Sequence, residues 1–375
     1  MTRFIRFGKL RTGLLVLGTM AAVTVPAGAA SATDDHEGAT RFHVTNLVSD
    51  VPGRAQLTDP NLANAWGLAA GPTTPIWVAN NHTDTSTLYS GAVGGLPVTA
   101  VPLVVNVTEP TGLVFNGGND FVVSAGGASA PARFIFSSES GDITGWNIGV
   151  PPPTPSTQAQ PAAHVDGAVY KGLAIASTTG GSRLYAANFH AGTVDVFDGT
   201  FAPVVKAGAF TDPKLPPGYA PFNVAVINGS VYVTYALQDA DAVDDVHGRG
   251  HGFIDVFDKD GNFQHRLVSR GRLNSPWGLT VAPQGFGKFG GQLLVGNFGD
   301  GRINVYDPTT GRFRGVLRDR EEHAISIEGL WALQFGNPTF AGADTLIFSA
   351  GPDDETHGLL GIIQVKQARA EEDDG

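Results

Sequence analysis

The sequence predicts an all-β fold, a six-bladed β-propeller whose ring is closed by an N-terminal strand that joins the last blade. Three observations predict it. One pattern returns six times along the chain, and its apolar segments alternate with period two. The 50 glycines among 375 residues, about twice the usual share, supply tight turns between short strands.

Each repeat begins with a short segment centred on a small or turn-forming residue. These are Trp66-Gly67-Leu68, Thr111-Gly112-Leu113, Lys171-Gly172-Leu173, Phe222-Asn223-Val224, Trp277-Gly278-Leu279 and Glu328-Gly329-Leu330. The second segments are Ile76-Trp77-Val78, Phe121-Val122-Val123, Leu184-Tyr185-Ala186, Val231-Tyr232-Val233, Leu293-Leu294-Val295 and Leu346-Ile347-Phe348. Third segments include residues 193–198, 253–258 and 302–307, rich in β-branched and aromatic residues as strands are. Four-stranded units returning at about 50 residues fit radial repetition, which leaves few exposed edges. Blade six supplies three strands, the last near residues 360–365, and the lone strand at 42–47 completes it. The Pro-rich stretch from Pro151 to Pro161 reads as a surface connector between blades.

Ahead of the propeller, residues 1–32 read as a secretory signal peptide. Arg3, Arg6, Lys9 and Arg11 precede an apolar stretch from Gly13 to Val25 that is too short to span a bilayer, and Ala30-Ser31-Ala32 offers a cleavage site. The single domain then covers residues 33–367, and residues 368–375 form an acidic tail expected to be disordered. The chain carries 24 Lys+Arg against 35 Asp+Glu, a formal charge of −11, so it has no basic field to attract nucleic acid. With no cysteine, disulfides, thiolate metal centres and thiol catalysis are excluded. No segment after the leader is apolar enough for a membrane span, and no P-loop, dinucleotide fingerprint, H-E-x-x-H or G-x-S-x-G motif is present. The expectation is a secreted, extracellular, acidic monomer without nucleotide or flavin, acting on a small molecule or another extracellular ligand.

The segments Tyr170-Lys171-Gly172-Leu173, Pro276-Trp277-Gly278-Leu279, Gly296-Asn297-Phe298-Gly299-Asp300-Gly301 and Glu355-Thr356-His357-Gly358 resemble those of a family of uncharacterised secreted bacterial propeller proteins. The resemblance spans nearly all of the chain after the leader. It implies a fold and export but no activity. A looser similarity runs to NHL-repeat, gluconolactonase-like and streptogramin-lyase-like propellers. In such lactonases a divalent metal sits on the axis, held by a Glu before a Gly on an innermost strand. Glu328-Gly329-Leu330-Trp331 is similar to that pattern, which implies Glu328 as a metal ligand; the Asn-Gly pairing expected beside it is absent.

In a propeller the residues entering the innermost strands and leaving the second strands share one face around the axis, where ligand sites open. The entering set is Trp66, Thr111, Lys171, Phe222, Trp277 and Glu328, with Glu109 and Asn223 beside it. The leaving set places Asn80, Asn188 and Asn297 at equivalent positions of blades one, three and five, near His82 and His190; blades two, four and six place Ala125, Tyr235 and Ala350 there. Glu109 and Glu328 are the candidate catalytic carboxylates. Asn80, Asn188, Asn223, Asn297, Lys171, Trp66, Trp277 and His190 are the candidate substrate-binding residues. Carboxylate and amide oxygens suit a hard divalent cation, calcium first, and ester or lactone hydrolysis on it. The plainer alternative keeps the asparagines as turn formers, the histidines on surface loops and Lys171 paired with Glu328 or Glu109. A second candidate cation site is the insertion carrying Asp239, Asp241, Asp244 and Asp245, for which a solvated acidic loop is the plainer reading. Two functions follow: a metal-assisted hydrolase or lyase, or a non-catalytic binding module for carbohydrate, peptide or protein.

Overall fold

A computed structural model describes residues 40–366. The expected signal peptide, and the tail from residue 368 onward, lie outside the described residues. Among the described residues the regular structure is β-strand apart from two single 3-10 turns, and the strands form six radially repeated sheets.

The innermost strands, in blade order, are Ala65–Ala69, Pro110–Phe115, Tyr170–Thr178, Tyr219–Ile227, Pro276–Val281 and Leu330–Phe335. They are buried at their starts because a neighbouring blade packs on each face. That packing explains the recurring small residue. A Cβ on Gly67 would lie 2.3 Å from the carbonyl oxygen of Thr111 in the next blade, and one on Gly278 would lie 2.8 Å from that of Trp331. The same contact fixes the register of blade six. Its counterpart of Trp66-Gly67-Leu68 is Trp331-Ala332-Leu333, three residues beyond the expected Glu328-Gly329-Leu330.

Blade two differs from expectation as well. Its second strand is Phe134–Ser138, which pairs with Pro110–Phe115, while Val122–Ala125 and Ala128–Pro131 form a separate hairpin. The position equivalent to Asn80 in that blade is therefore Ser138 and not Ala125. The Pro-rich stretch lies within blade two, because Gln160–His164 is its outermost strand; Pro161 is tolerated at an edge that needs no donor. Blade three has three strands, Tyr170–Thr178, Gly181–Asn188 and Thr193–Asp198. After it the chain runs through Pro203, Pro213, Pro216 and Pro217, and only a bridge at Phe197 and Pro203 continues the pairing.

The ring closes as the sequence predicts. Arg41–Ser49 pairs antiparallel with Leu359–Lys366, from Arg41 opposite Lys366 to Ser49 opposite Leu359, so the first described strand is the outer strand of the last blade. Phe42 packs there against Phe286 and Phe289 of blade five, with ring centroids 4.9 and 6.1 Å away.

Candidate functional site: an acidic cleft over an aromatic plug

Six residues occupy one register position around the axis: Trp66, Thr111, Lys171, Phe222, Trp277 and Trp331. Trp331 stacks between Trp66 (3.7 Å) and Phe298 (3.8 Å), and Trp277 meets it edge-on at 5.8 Å. Each such pair adds about 0.5–1.5 kcal/mol beyond its area burial. Polar edges tie the plug to the blades. The Trp331 indole donates to Asn64 Oδ1 (3.0 Å), and the Trp277 indole donates to the carbonyl of Lys171 (3.0 Å). The Trp66 indole nitrogen is buried with no protein partner.

Above the plug lies a cleft of about 520 Å³. Trp66, Trp331 and Phe298 form its floor; Asp244, Asp245 and His247 come from the blade-four insertion, Asp300 from blade five, and Glu328, Asp354 and Glu355 from blade six. Lys171 enters from blade three, its side chain buried, with Nζ 2.5 Å from Glu139, 3.0 Å from Asp244 and 5.3 Å above the Trp66 ring. Burial pulls the Lys171 ammonium down, but the two carboxylates outweigh it and hold its pKa above the ordinary value. Glu355 receives a hydrogen bond from Asn64 Nδ2 (2.7 Å), yet burial pushes its carboxyl up to about 7. Hydrogen bonding to Asp245, whose Oδ2 is 3.2 Å away, raises His247 against the opposing pull of burial. A belt of side chains runs across the face from Asn64 to Asn81 Oδ1 (3.3 Å) and from Asn81 to Glu139 (3.1 Å), ending at Lys171 and Asp244.

Of the residues expected from sequence, Trp66, Lys171, Asp244, Asp245 and Glu328 line this cleft. Glu328 does so from a different place than expected: it is an exposed loop residue whose Oε1 accepts the Asp353 N–H (3.2 Å), because Trp331 holds the axial position. Lys171 pairs with Glu139 and Asp244 rather than with Glu328 or Glu109. Glu109 sits on the exposed rim, where partial burial first, then Glu139, Asp84 and Asp142, raise its pKa.

The asparagines serve the scaffold. Asn80 donates to Thr85 and Thr87, Asn188 to Asp195, and Asn297 to the Arg272 carbonyl and Asp300. Asn223 ties blade four to blade five through the Trp277 carbonyl (2.7 Å). Trp277 lines a funnel at the opposite mouth of the axis, and His190 is an exposed loop residue. Asp239 caps its own turn by accepting the Val243 N–H, and Asp241 is exposed.

These positions also test the axial cation. Asp244 and Asp245 face Lys171 and His247, Glu328 is outside the axis, and among the described residues no three His, Asp or Glu side chains converge as metal ligands would. The expected ligands Glu328, Asp239, Asp241, Asp244 and Asp245 are thus not gathered around one point on the axis. Sequence reasoning missed Glu139 and the axial role of Trp331. The signal for the latter was present, since Trp331-Ala332-Leu333 matches Trp66-Gly67-Leu68 at two positions and replaces glycine by the next smallest residue.

Six sheets around an aromatic axis, with a cleft at its mouth, define a six-bladed β-propeller. The chain belongs to one family with uncharacterized proteins of Acanthamoeba polyphaga mimivirus. Two of these are each 33% identical to it, over 332 residues (86% of this chain, 80% of the relative) and 334 residues (86% and 85%). These relatives are viral, so they do not support the bacterial origin that the resemblance implied. No family model matches the chain. A structural genomics protein of unknown function from Bacteroides thetaiotaomicron is similar in fold, with TM-score 0.51 and 11% identity, covering 87% of this chain and 76% of that one. A streptogramin B lyase structure aligns over 87% of this chain and 98% of its own at TM-score 0.47 and 9% identity. Likeness at these identities concerns the fold alone.

Proposed function

We propose that the chain is an exported, monomeric binding propeller that takes an organic cation in its axial cleft without chemical turnover. The observation that carries this reading is the charge of the cleft. Asp245, Asp300, Glu328, Asp354 and Glu355 line it, against His247, which pairs with Asp245, and a lysine already matched by Glu139 and Asp244. A cleft of one sign over low-dielectric walls concentrates ligands of the opposite sign, and aromatic rings add attraction for an ammonium group. Its volume suits a small molecule. Calorimetric titration with choline and spermidine, against cellobiose as a neutral control, tests it. Saturable binding of the cations, weakened by Glu328→Gln and Asp354→Asn, supports the reading; equal binding of cellobiose, or no binding of either cation, refutes it.

A hydrolase or lyase reading has its own support in Glu355. A carboxyl near neutrality inside a cleft is suited to proton transfer, and it would take the catalytic part first given to Glu109 and Glu328. A screen of esters and lactones decides this reading: turnover abolished by Glu355→Gln favours it, and turnover unaffected by that change removes it.

A further inference from the structure

We infer that the chain carries a second ligand site, a pocket for a tetrahedral dianion lined by Arg249, Arg272, Arg302 and Arg318 on the flank of blade five. The pocket encloses about 410 Å³, and Asp300 and Asn304 also line it. Each arginine arrives on a different connection. Arg249 belongs to the blade-four insertion, Arg272 to the link between blades four and five, Arg302 to the turn before strand Ile303–Tyr306, and Arg318 to the segment after strand Phe313–Val316. Four cations converging in a chain of charge −11 is an arrangement that chance composition disfavours.

Compensation within the protein is scant. Asp300 Oδ2 lies 4.0 Å from Arg302, while Oδ1 accepts Asn297 Nδ2 (3.0 Å) and the Arg302 N–H (3.3 Å). Among the described residues no carboxylate lies within ion-pair distance of Arg249, Arg272 or Arg318, and the Arg318 guanidinium donates to the Glu322 carbonyl. The wall is nevertheless built. The Arg272 guanidinium is 4.4 Å from the Phe313 ring centroid, and the Arg272 carbonyl accepts Asn304 Nδ2 (3.3 Å) from a side chain that is buried. The four arginines are exposed, and one carboxylate against four guanidiniums leaves a surplus of about three charges for an anion to meet.

The residue type selects the ligand. All four cations are arginines, whose planar forks match oxyanions, and lysine is absent. Forks approaching from four connections suit a group with oxygens in several directions, and the surplus charge favours a dianion. The shared chemistry is therefore phosphate or sulfate, as the free ion or as the head of a small ester for which the volume leaves room. The site lies across the turn at 299–302 from the axial cleft, and Asp300 lines both.

Calorimetric titration of the whole protein with inorganic phosphate, sulfate, a hexose monophosphate and acetate tests the site. The expected result is one saturable site for phosphate or sulfate that weakens steeply with added sodium chloride, with acetate at least tenfold weaker. A tighter hexose monophosphate would identify an ester head group as the ligand, and equal affinity the free ion. Arg302→Ala and Arg318→Ala should each weaken binding at least tenfold, and Arg302→Ala, at an exposed position, should leave the ligand-free melting temperature unchanged. No saturable binding by the parent, acetate binding as well as the dianions, or undiminished binding by the double variant would overturn the proposal. The parent titration decides on its own should a variant fail to fold.

Discussion

Replacing Glu355 with glutamine isolates the one cleft carboxyl whose proton affinity the fold changes most. Its pKa rises from the ordinary 4.5 to about 7, chiefly through burial, with Glu139 and Asp244 adding to the rise and Asn64 and Lys171 opposing it. A carboxyl raised on folding binds its proton more tightly in the native state. Between pH 4.5 and about 7 the native protein therefore holds more protons than the unfolded chain, so stability falls as pH rises through that window and the full cost is felt above it. At 1.36 kcal/mol per unit the shift corresponds to about 3 kcal/mol, or about 4 °C in melting temperature on ordinary per-residue entropies. Glu355→Gln keeps the shape and an oxygen for Asn64, and it abolishes the titration. Urea unfolding of parent and variant from about pH 4 to about pH 8 gives the difference directly. The curves should coincide at the acid end and separate toward neutral pH, with the variant the more stable. Asp255, also pushed up to about 7 by burial despite Arg266, titrates in both proteins and cancels. Parallel curves across the range would refute the assignment of a buried, destabilising charge to Glu355.

Other perturbations probe the remaining joints. Deleting residues 40–50 should melt the whole ring at markedly lower temperature, because strand Leu359–Lys366 loses its partner and an edge is exposed; a truncated chain that melts like the parent contradicts this closure. Asn223→Ala removes the buried bond to the Trp277 carbonyl and should cost about 1–3 kcal/mol in urea unfolding, whereas a neutral result would deny the blade-to-blade tie. Glu328→Gln, at an exposed loop position, should change stability by less than about 0.5 kcal/mol; a large loss would return it to the axis. Chelator or added calcium should leave the melting temperature unmoved, since Asp244 and Asp245 already have protein partners, and a calcium-dependent rise would restore the cation-loop reading.

The propeller was legible because half-buried strands write period two into the sequence and a crowded axis writes a small residue into five of the six innermost strands. Where two segments satisfied those rules, the sequence could not choose. Phe121-Val122-Val123 is as strand-like as Phe134-Ile135-Phe136, and only pairing with Pro110–Phe115 separates the hairpin from the blade. Glu328-Gly329-Leu330 imitates the glycine motif, but Gly329 has φ of +63° and a Cβ there would meet the Gly351 carbonyl at 2.1 Å, so its glycine answers a turn and a contact within blade six rather than the approach of the next blade. The site was legible in part. Lys171 and Trp66 followed from strand register, whereas Glu139 and Phe298 reach the cleft from loops whose course no periodicity records.

The pairing of Arg41 with Lys366 joins positions more than three hundred residues apart, and it sets a condition on how the molecule is made. At the usual 5–20 residues per second, the first strand waits about 15–60 s after its own synthesis before its partner exists. Through that interval every blade but the last can assemble from contacts close in sequence, while the open necklace presents an unpaired edge at one end and an unattached, alternating apolar strand at the other. Each is the natural partner of the other, on the same chain or on a neighbouring one. Slow closure thus makes exchange of the first strand between two copies the characteristic error of this ring, favoured at high concentration of newly made chains and absent once the latch has shut.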